Sequence, residues 1–172
     1  MRICDVLARG RNELAEVSAT PGLDAELLLA EILRQPRSFV LARPEYLLST
    51  AEQRAIGVLL QQRLRGVPVA QLIGSAEFYG LRLRVTPDVL IPRPETELLV
   101  EAVIGLLRDG GTLLDIGTGS GCIAIAVATQ TPADVVATDI SAAALDVARE
   151  NAERHQVAVE FRHADLLEGI DR

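Results

Sequence analysis

The sequence predicts an α/β domain built on a parallel sheet over residues 95–172, preceded by a small all-α bundle over residues 1–75 and a β-hairpin linker over residues 76–94. Three observations carry this. The first 75 residues show helical periods and no strand pattern. The hydrophobic period changes to two between Gly74 and Pro94. After Gly111 strand patterns and helix patterns alternate at the pitch of right-handed βαβ units.

In the bundle, Ile3, Val6, Leu7 and Leu14 lie on one helical stripe that stops at Thr20-Pro21-Gly22. Leu27, Leu28, Ala30 and Leu33 mark a second helix over 23–33. Ser49 with Glu52 has capping-box spacing, and Ile56, Leu59, Leu60 and Leu64 carry a third helix to Gly66. In the linker, Leu81, Leu83 and Val85 alternate with Arg82, Arg84 and Thr86, and Pro87-Asp88 is expected to turn the chain into Val89-Leu90-Ile91. Pro92 and Pro94 end that strand. A helix over 95–108 follows, with Leu98, Leu99, Ala102, Val103, Leu106 and Leu107 as its expected apolar face. Strands are then expected at 113–116, 135–139 and 157–163, with helices at 122–128 and 142–155 between them.

Composition narrows the function. With 49% hydrophobic and 24% charged residues among 172, the chain can bury a core. Aromatic residues make up 3% and Trp is absent, which disfavours platforms that stack bases. Residues 1–90 hold 11 Arg against 10 acids, and residues 91–172 hold 6 Arg against 14 acids, so net charges of +1 and −8 divide the −7 of the whole. An acidic C-terminal half argues against direct nucleic-acid binding there. The longest run free of polar residues and Gly, Cys122 to Ala128, falls far short of the roughly 20 residues of a membrane span, and Arg2 and Asp5 interrupt any leader. A cytoplasmic protein with no membrane contact is expected. Two cysteines and two histidines without ligand spacing make neither a disulfide framework nor a metal site. Cys122 reads as a small core residue and His155 as a complement to a helix dipole, while His163 has no assigned role.

Asp115-Ile116-Gly117-Thr118-Gly119-Ser120-Gly121 closes one strand and opens a helix. Glycines there let a ligand approach the backbone, and the helix N-terminus offers unpaired N–H groups. A nicotinamide-type fingerprint would place its third glycine at position 122, which is Cys122; here the third glycine comes one residue early. Asp139 ends the second strand, 22 residues after Gly117, where a short acid can accept both hydroxyls of a ribose or cap the next turn.

Asp-x-Gly-x-Gly-x-Gly resembles the first motif of the Rossmann-like class I methyltransferases that use S-adenosylmethionine. The resemblance implies that Gly117, Thr118, Gly119, Ser120 and Gly121 hold the methionine and ribose part of that cofactor, that Asp139 holds the ribose, and that Asp165 and Leu166 border the adenine. Three further strings, Arg65 to Gly74, Glu77 to Leu81 and Val89 to Glu97, narrow it. With them the chain resembles the HemK/PrmC family, which methylates a glutamine side chain in peptide chain release factors. Family members have a helical substrate-recognition bundle, a hairpin linker and a Rossmann-like domain. Pro92, Arg93, Pro94, Thr96 and Glu97 are then expected to wall the substrate pocket, while by local chemistry they form a rigid helix start.

The family's catalytic string Asn-Pro-Pro-Tyr follows a fourth strand and is not among these residues, which end at Arg172. In the family it frees an amide nitrogen's lone pair by accepting both amide hydrogens. No catalytic residue is therefore expected here, and the 172-residue chain alone is expected to be inactive, with a sheet edge open to self-association. The release factor is the expected partner and protein methylation in translation termination the expected role. The alternatives are a nucleic-acid adenine or small-molecule methyltransferase, or a non-catalytic binding module.

Overall fold

The computed structural model describes residues 1–168. They fall into two compact units, Met1–Ile73 and a second from Gly74 onward.

The first unit is helical, with α1 Ile3–Glu13, α2 Pro21–Leu33, α3 Arg37–Ala42, α4 Thr50–Leu64 and α5 Val69–Ile73. Helix α2 begins on Pro21, whose fixed φ suits the first turn, and ends where Arg34 turns left-handed at φ +50°. It packs against α1, α3, α4 and α5, burying Ala25, Leu28 and Leu29 completely with Ile3, Leu14 and Val40. Contact between α1 and α2 is close because Gly10 has no side chain; a Cβ there would lie 2.7 Å from that of Ala25. The capping box forms, Ser49 Oγ accepting from Glu52 N–H (3.3 Å) and Glu52 Oε2 from Ser49 N–H (2.7 Å). Helices α3 and α5 span 6 and 5 residues, less than two turns, too short to show a period in sequence.

The second unit opens with a hairpin, β1 Ser75–Phe78 against β2 Leu81–Arg84, antiparallel, with Phe78 opposite Leu81. Its turn is Tyr79-Gly80, at φ +50° and +74°, the left-handed pair that matches the twist of two strands. The turn expected at Pro87-Asp88 forms, Val89 N–H donating to the Thr86 carbonyl at 3.3 Å, but it closes no hairpin, because Val89-Leu90-Ile91 forms no strand. Prolines at 87, 92 and 94 remove backbone donors around that segment.

Helix α6 Thr96–Leu106 leads to β3 Thr112–Ile116, α7 Cys122–Gln130, β4 Asp134–Asp139, α8 Ala142–His155 and β5 Glu160–His163. The strands lie in the order β3-β4-β5, all parallel, with Ile116 beside Thr138 and Asp139 beside His163. The core gathers Phe78, Leu83, Val100, Val135, Ala137 and the stretch Ala124 to Val127. The face expected for α6 needs correction. Val100 is its buried residue, with Val103, Ile104 and Leu107 packed around it, whereas Leu98 (70%), Leu99 (51%) and Leu106 (83%) are exposed. The helix is apolar nearly all round, so its period could not select a side. Among the described residues no helix is long and apolar enough to cross a membrane.

Candidate functional site

The carboxyl ends of β3, β4 and β5 meet at one edge of the parallel sheet, where ligands of open α/β folds bind. Gly117 and Thr118 donate their N–H groups to the Thr138 carbonyl at 2.8 and 2.9 Å, which extends the β3–β4 pairing into the turn. Gly119, at φ +55°, then donates to Asp139 Oδ2 at 2.9 Å, and Ser141 N–H donates to Asp139 Oδ1 at 2.9 Å. Both oxygens are thereby fixed on backbone groups, and each keeps a lone pair for a further donor. The Asp139 carbonyl accepts from Ala164 N–H (3.1 Å), and His163 Nε2–H donates to the Ile140 carbonyl (2.8 Å). These bonds bring the start of the 164–168 turn beside the Asp139 loop.

Glycine is required at Gly121 for two reasons. Its φ is +81°, and a Cβ there would stand 2.9 Å from Ile125 Cδ1 and 3.2 Å from Ala148 Cβ. Over Gly117 and Gly119, by contrast, an added Cβ would meet nothing within 4 Å, so the face of the turn away from the core is open. Beneath the turn lies Asp115, 9% exposed. Its Oδ2 accepts from Thr118 Oγ1–H at 2.7 Å, and it also accepts from the Ala124 N–H in the first turn of α7. Burial pushes the Asp115 carboxyl above the ordinary carboxylate range against the pull of those two donors, and nearby Asp139 adds to the rise. The thiol of Cys122 is also raised, mainly by burial, which suits packing rather than nucleophilic chemistry.

The residues expected from sequence are placed as follows. Gly117 to Gly121 and Asp139 come together in this one turn. Asp165, Leu166 and Leu167 are exposed, and Leu166 is left-handed at φ +51°. Pro92 to Glu97 lies on the approach to α6, where Thr96 and Glu97 donate N–H groups to the Arg93 and Pro94 carbonyls (both 3.0 Å). Glu97 Oε1 accepts from Tyr79 N–H at 2.8 Å, so the acid anchors the hairpin turn. His155, expected to complement a dipole, donates from Nε2 to the Arg82 carbonyl at 3.1 Å. Among the described residues no group of three or more His, Cys, Asp or Glu could hold a metal.

Sequence reasoning missed Asn151. This residue is fully buried, and its amide makes three bonds: Oδ1 accepts from Arg84 N–H (2.6 Å), and Nδ2 donates to the carbonyls of Arg84 (3.0 Å) and Ser120 (2.9 Å). The available signal was an amide on the apolar face of a helix, between Ala148 and Ala152.

A parallel βαβαβ sheet with an open glycine turn after its first strand and an acid at the end of its second has the fold of the Rossmann-like class I methyltransferases, and residues 94–172 match the family model described as methyltransferase small domain. Residues 5–74 match the model described as PrmC N-terminal domain. In both parts the chain is thus similar to the HemK/PrmC family. It is 43% identical over 164 residues to the release factor glutamine methyltransferase of Coxiella burnetii, covering 93% of this chain and 59% of that protein. It is 46% identical to the protein of the same name from Neisseria gonorrhoeae, covering 91% and 58%. The chain spans 49% to 60% of the length of such curated relatives. Among solved structures, a ribosomal protein L11 methylase from Lactobacillus delbrueckii subsp. bulgaricus is 32% identical over 46% of this chain and 42% of its own, with a TM-score of 0.42.

Proposed function

We propose that this chain is the recognition bundle, residues 1–75, the hairpin linker, residues 76–94, and the cofactor-binding part, residues 95–172, of an S-adenosylmethionine-dependent enzyme. The proposed enzyme methylates the side-chain amide nitrogen of a glutamine in peptide chain release factors, in the cytoplasm. One observation carries the cofactor reading: Asp139 is held by Gly119 and Ser141 N–H groups beside a glycine turn whose outer face is open. Bound there, S-adenosylmethionine would supply an electrophilic methyl on its sulfonium. Gly117 to Gly121 pass their backbone along its methionine and ribose, Asp139 accepts from the ribose hydroxyls, and Asp165 and Leu166 border the adenine. Pro92, Arg93, Pro94, Thr96 and Glu97 wall the pocket. None of these residues is assigned the chemical step, and Asn-Pro-Pro-Tyr does not occur among the 172.

The substrate reading rests on the curated relatives, each named release factor glutamine methyltransferase. Calorimetric titration with S-adenosylhomocysteine tests the site. Loss of a charge-assisted pair of hydrogen bonds in Asp139→Ala is expected to weaken binding roughly 30- to 150-fold; unchanged affinity would leave Asp139 as a cap for the Ser141 turn alone. We further propose that the 172-residue chain self-associates through β3. Among the described residues that strand pairs on one side only, and Ile116 near its end is 42% exposed. Light scattering at several concentrations decides this, a constant monomer mass being the contrary result.

A further inference from the structure

Strand β2 has two edges. One pairs with β1, and in that register the backbone groups of Arg82 and Arg84 face the other way. Among the described residues no strand covers them; α8 does. Asn151 meets both the N–H and the carbonyl of Arg84, as a peptide group of a neighbouring strand would, and His155 meets the carbonyl of Arg82. The spacing makes this repeat natural, since four helix residues rise about 6 Å and two strand residues about 6.6 Å.

The third bond of Asn151 leaves the hairpin and goes to the glycine turn. The Ser120 carbonyl stands one residue ahead of the Gly121 N-cap of α7. Asn151 Nδ2 supplies a buried donor to it at 2.9 Å. Fixing that carbonyl fixes the plane of the Ser120–Gly121 peptide, whose N–H points the opposite way, to the Thr118 carbonyl at 2.9 Å. All the donors of the amide are used, and its oxygen is engaged as well. A carboxylate of the same shape would keep the Arg84 N–H bond and set an acceptor against two carbonyls.

We infer that Asn151 is a positioning residue for the cofactor site, its buried amide locking the glycine turn to the free edge of the hairpin so that each holds the conformation of the other. This rests on the reading of Gly117 to Gly121 as the cofactor turn. The inference reaches beyond the motif residues, because Asn151 is in α8 and lies behind the turn, away from its open face.

Amide hydrogen exchange on the 172-residue chain, with and without saturating S-adenosylhomocysteine, tests it. In Asn151→Asp, exchange at Gly119 and Gly121 is expected to accelerate about tenfold, and affinity for S-adenosylhomocysteine to fall about tenfold. The β3–β4 ladder should keep its protection. Glu150→Gln removes only the exposed partner of Arg84 Nη1 (2.7 Å) and is expected to move none of these by more than about twofold. Uniform acceleration across the whole unit, or an unchanged glycine turn, would overturn the inference. Should Asn151→Asp not fold, the wild type decides: S-adenosylhomocysteine should slow Arg84 N–H together with Gly119 N–H, and an unaltered Arg84 contradicts the lock. Absence of any ligand effect in the folded wild type falls on the cofactor reading instead, and exchange of the unliganded Asn151→Asp turn then decides the lock alone.

Discussion

The two units bury their polar groups differently. In the helical unit Asp24 pairs with Arg63 at 2.8 Å, their side chains 9% and 16% exposed, and Thr20 Oγ1–H adds a bond to Asp24 at 3.3 Å. Glu26 likewise has Arg37 at 2.7 Å. In the α/β unit the buried acid is Asp115, whose partners are a hydroxyl and a backbone N–H with no cation among them, and a second buried polar anchor is the neutral amide of Asn151. Pairing explains why the first set tolerates burial. An acid left without a cation, under a glycine turn open on its other face, is carried at an energetic disadvantage, and such sites cluster where ligands bind. The first unit's buried acids face cations; the second unit's faces a hydroxyl and a backbone N–H beside the glycine turn.

Close helix packing gives the sharpest way to separate the units. Gly10 and Gly121 both sit where a Cβ would collide, with Ala25 in one case and Ile125 and Ala148 in the other. Gly10 is helical, while Gly121 is also left-handed. Gly121→Val is therefore expected to destabilise the α/β unit by about 4 kcal/mol, adding backbone strain to overpacking. Gly10→Ala should lose only about 1 kcal/mol, because better helix propensity offsets part of the clash. Urea unfolding of both variants checks this, and equal losses would mean that the left-handed backbone contributes nothing.

The ion pair comes next. Asp24→Ala leaves Arg63 largely buried opposite no carboxylate, with an expected loss of about 3 kcal/mol in the helical unit. Double replacement of Asp24 and Arg63 by apolar residues of similar volume should recover most of it. A double variant as unstable as the single would show that the pair supplies net attraction beyond mutual neutralisation.

Much of this was legible in sequence where local chemistry decides. The capping box at Ser49, the βαβ alternation and the helix 142–155 follow from side-chain spacing alone, and the structure forms each. The glycine turn and Asp139 were legible because strand ends are marked by the residues that must sit there. What escaped depends on the tertiary partner. The hairpin turn falls at Tyr79-Gly80, although tyrosine is no usual left-handed residue; Glu97 takes the Tyr79 N–H and holds the turn in place. An apolar pattern all round α6 could not say that Val100 faces inward. Asn151 has meaning only through the backbone groups of Arg84 and Ser120 that it meets, and no spacing in the sequence specifies those.

Titration should tell the units apart in sign. Asp115 binds its proton more tightly folded than unfolded, so its contribution favours the fold fully below the ordinary value of 3.8 and is lost as pH rises through its raised value. Asp5 in the helical unit is shifted the other way, mainly by hydrogen bonds from Arg2, and favours the fold above 3.8, losing that contribution as pH falls through its lowered value. Urea midpoints measured from about pH 4 to about pH 7 should show the α/β unit of the wild type losing ground relative to Asp115→Asn as pH rises. A constant difference between the two proteins would contradict the burial of that charge.

The smallest contrast concerns two serine caps of the same local design. Ser49 Oγ accepts from Glu52 N–H at 3.3 Å and Ser141 Oγ from Ala144 N–H at 3.2 Å. Replacing either by Ala removes one acceptor from a first helical turn and should cost about 1 kcal/mol. The backbone N–H groups distinguish them. That of Ser49 is held by Glu52 in its own helix, that of Ser141 by Asp139 at the end of β4. Because Ser141→Ala retains this N–H, Asp139 should keep its orientation, and affinity for S-adenosylhomocysteine should stay within about twofold of the wild type despite the lost stability. Calorimetric titration beside urea unfolding separates the two effects. If affinity instead falls with stability, the Ser141 hydroxyl belongs to the site, and the resemblance between the two caps ends at their geometry.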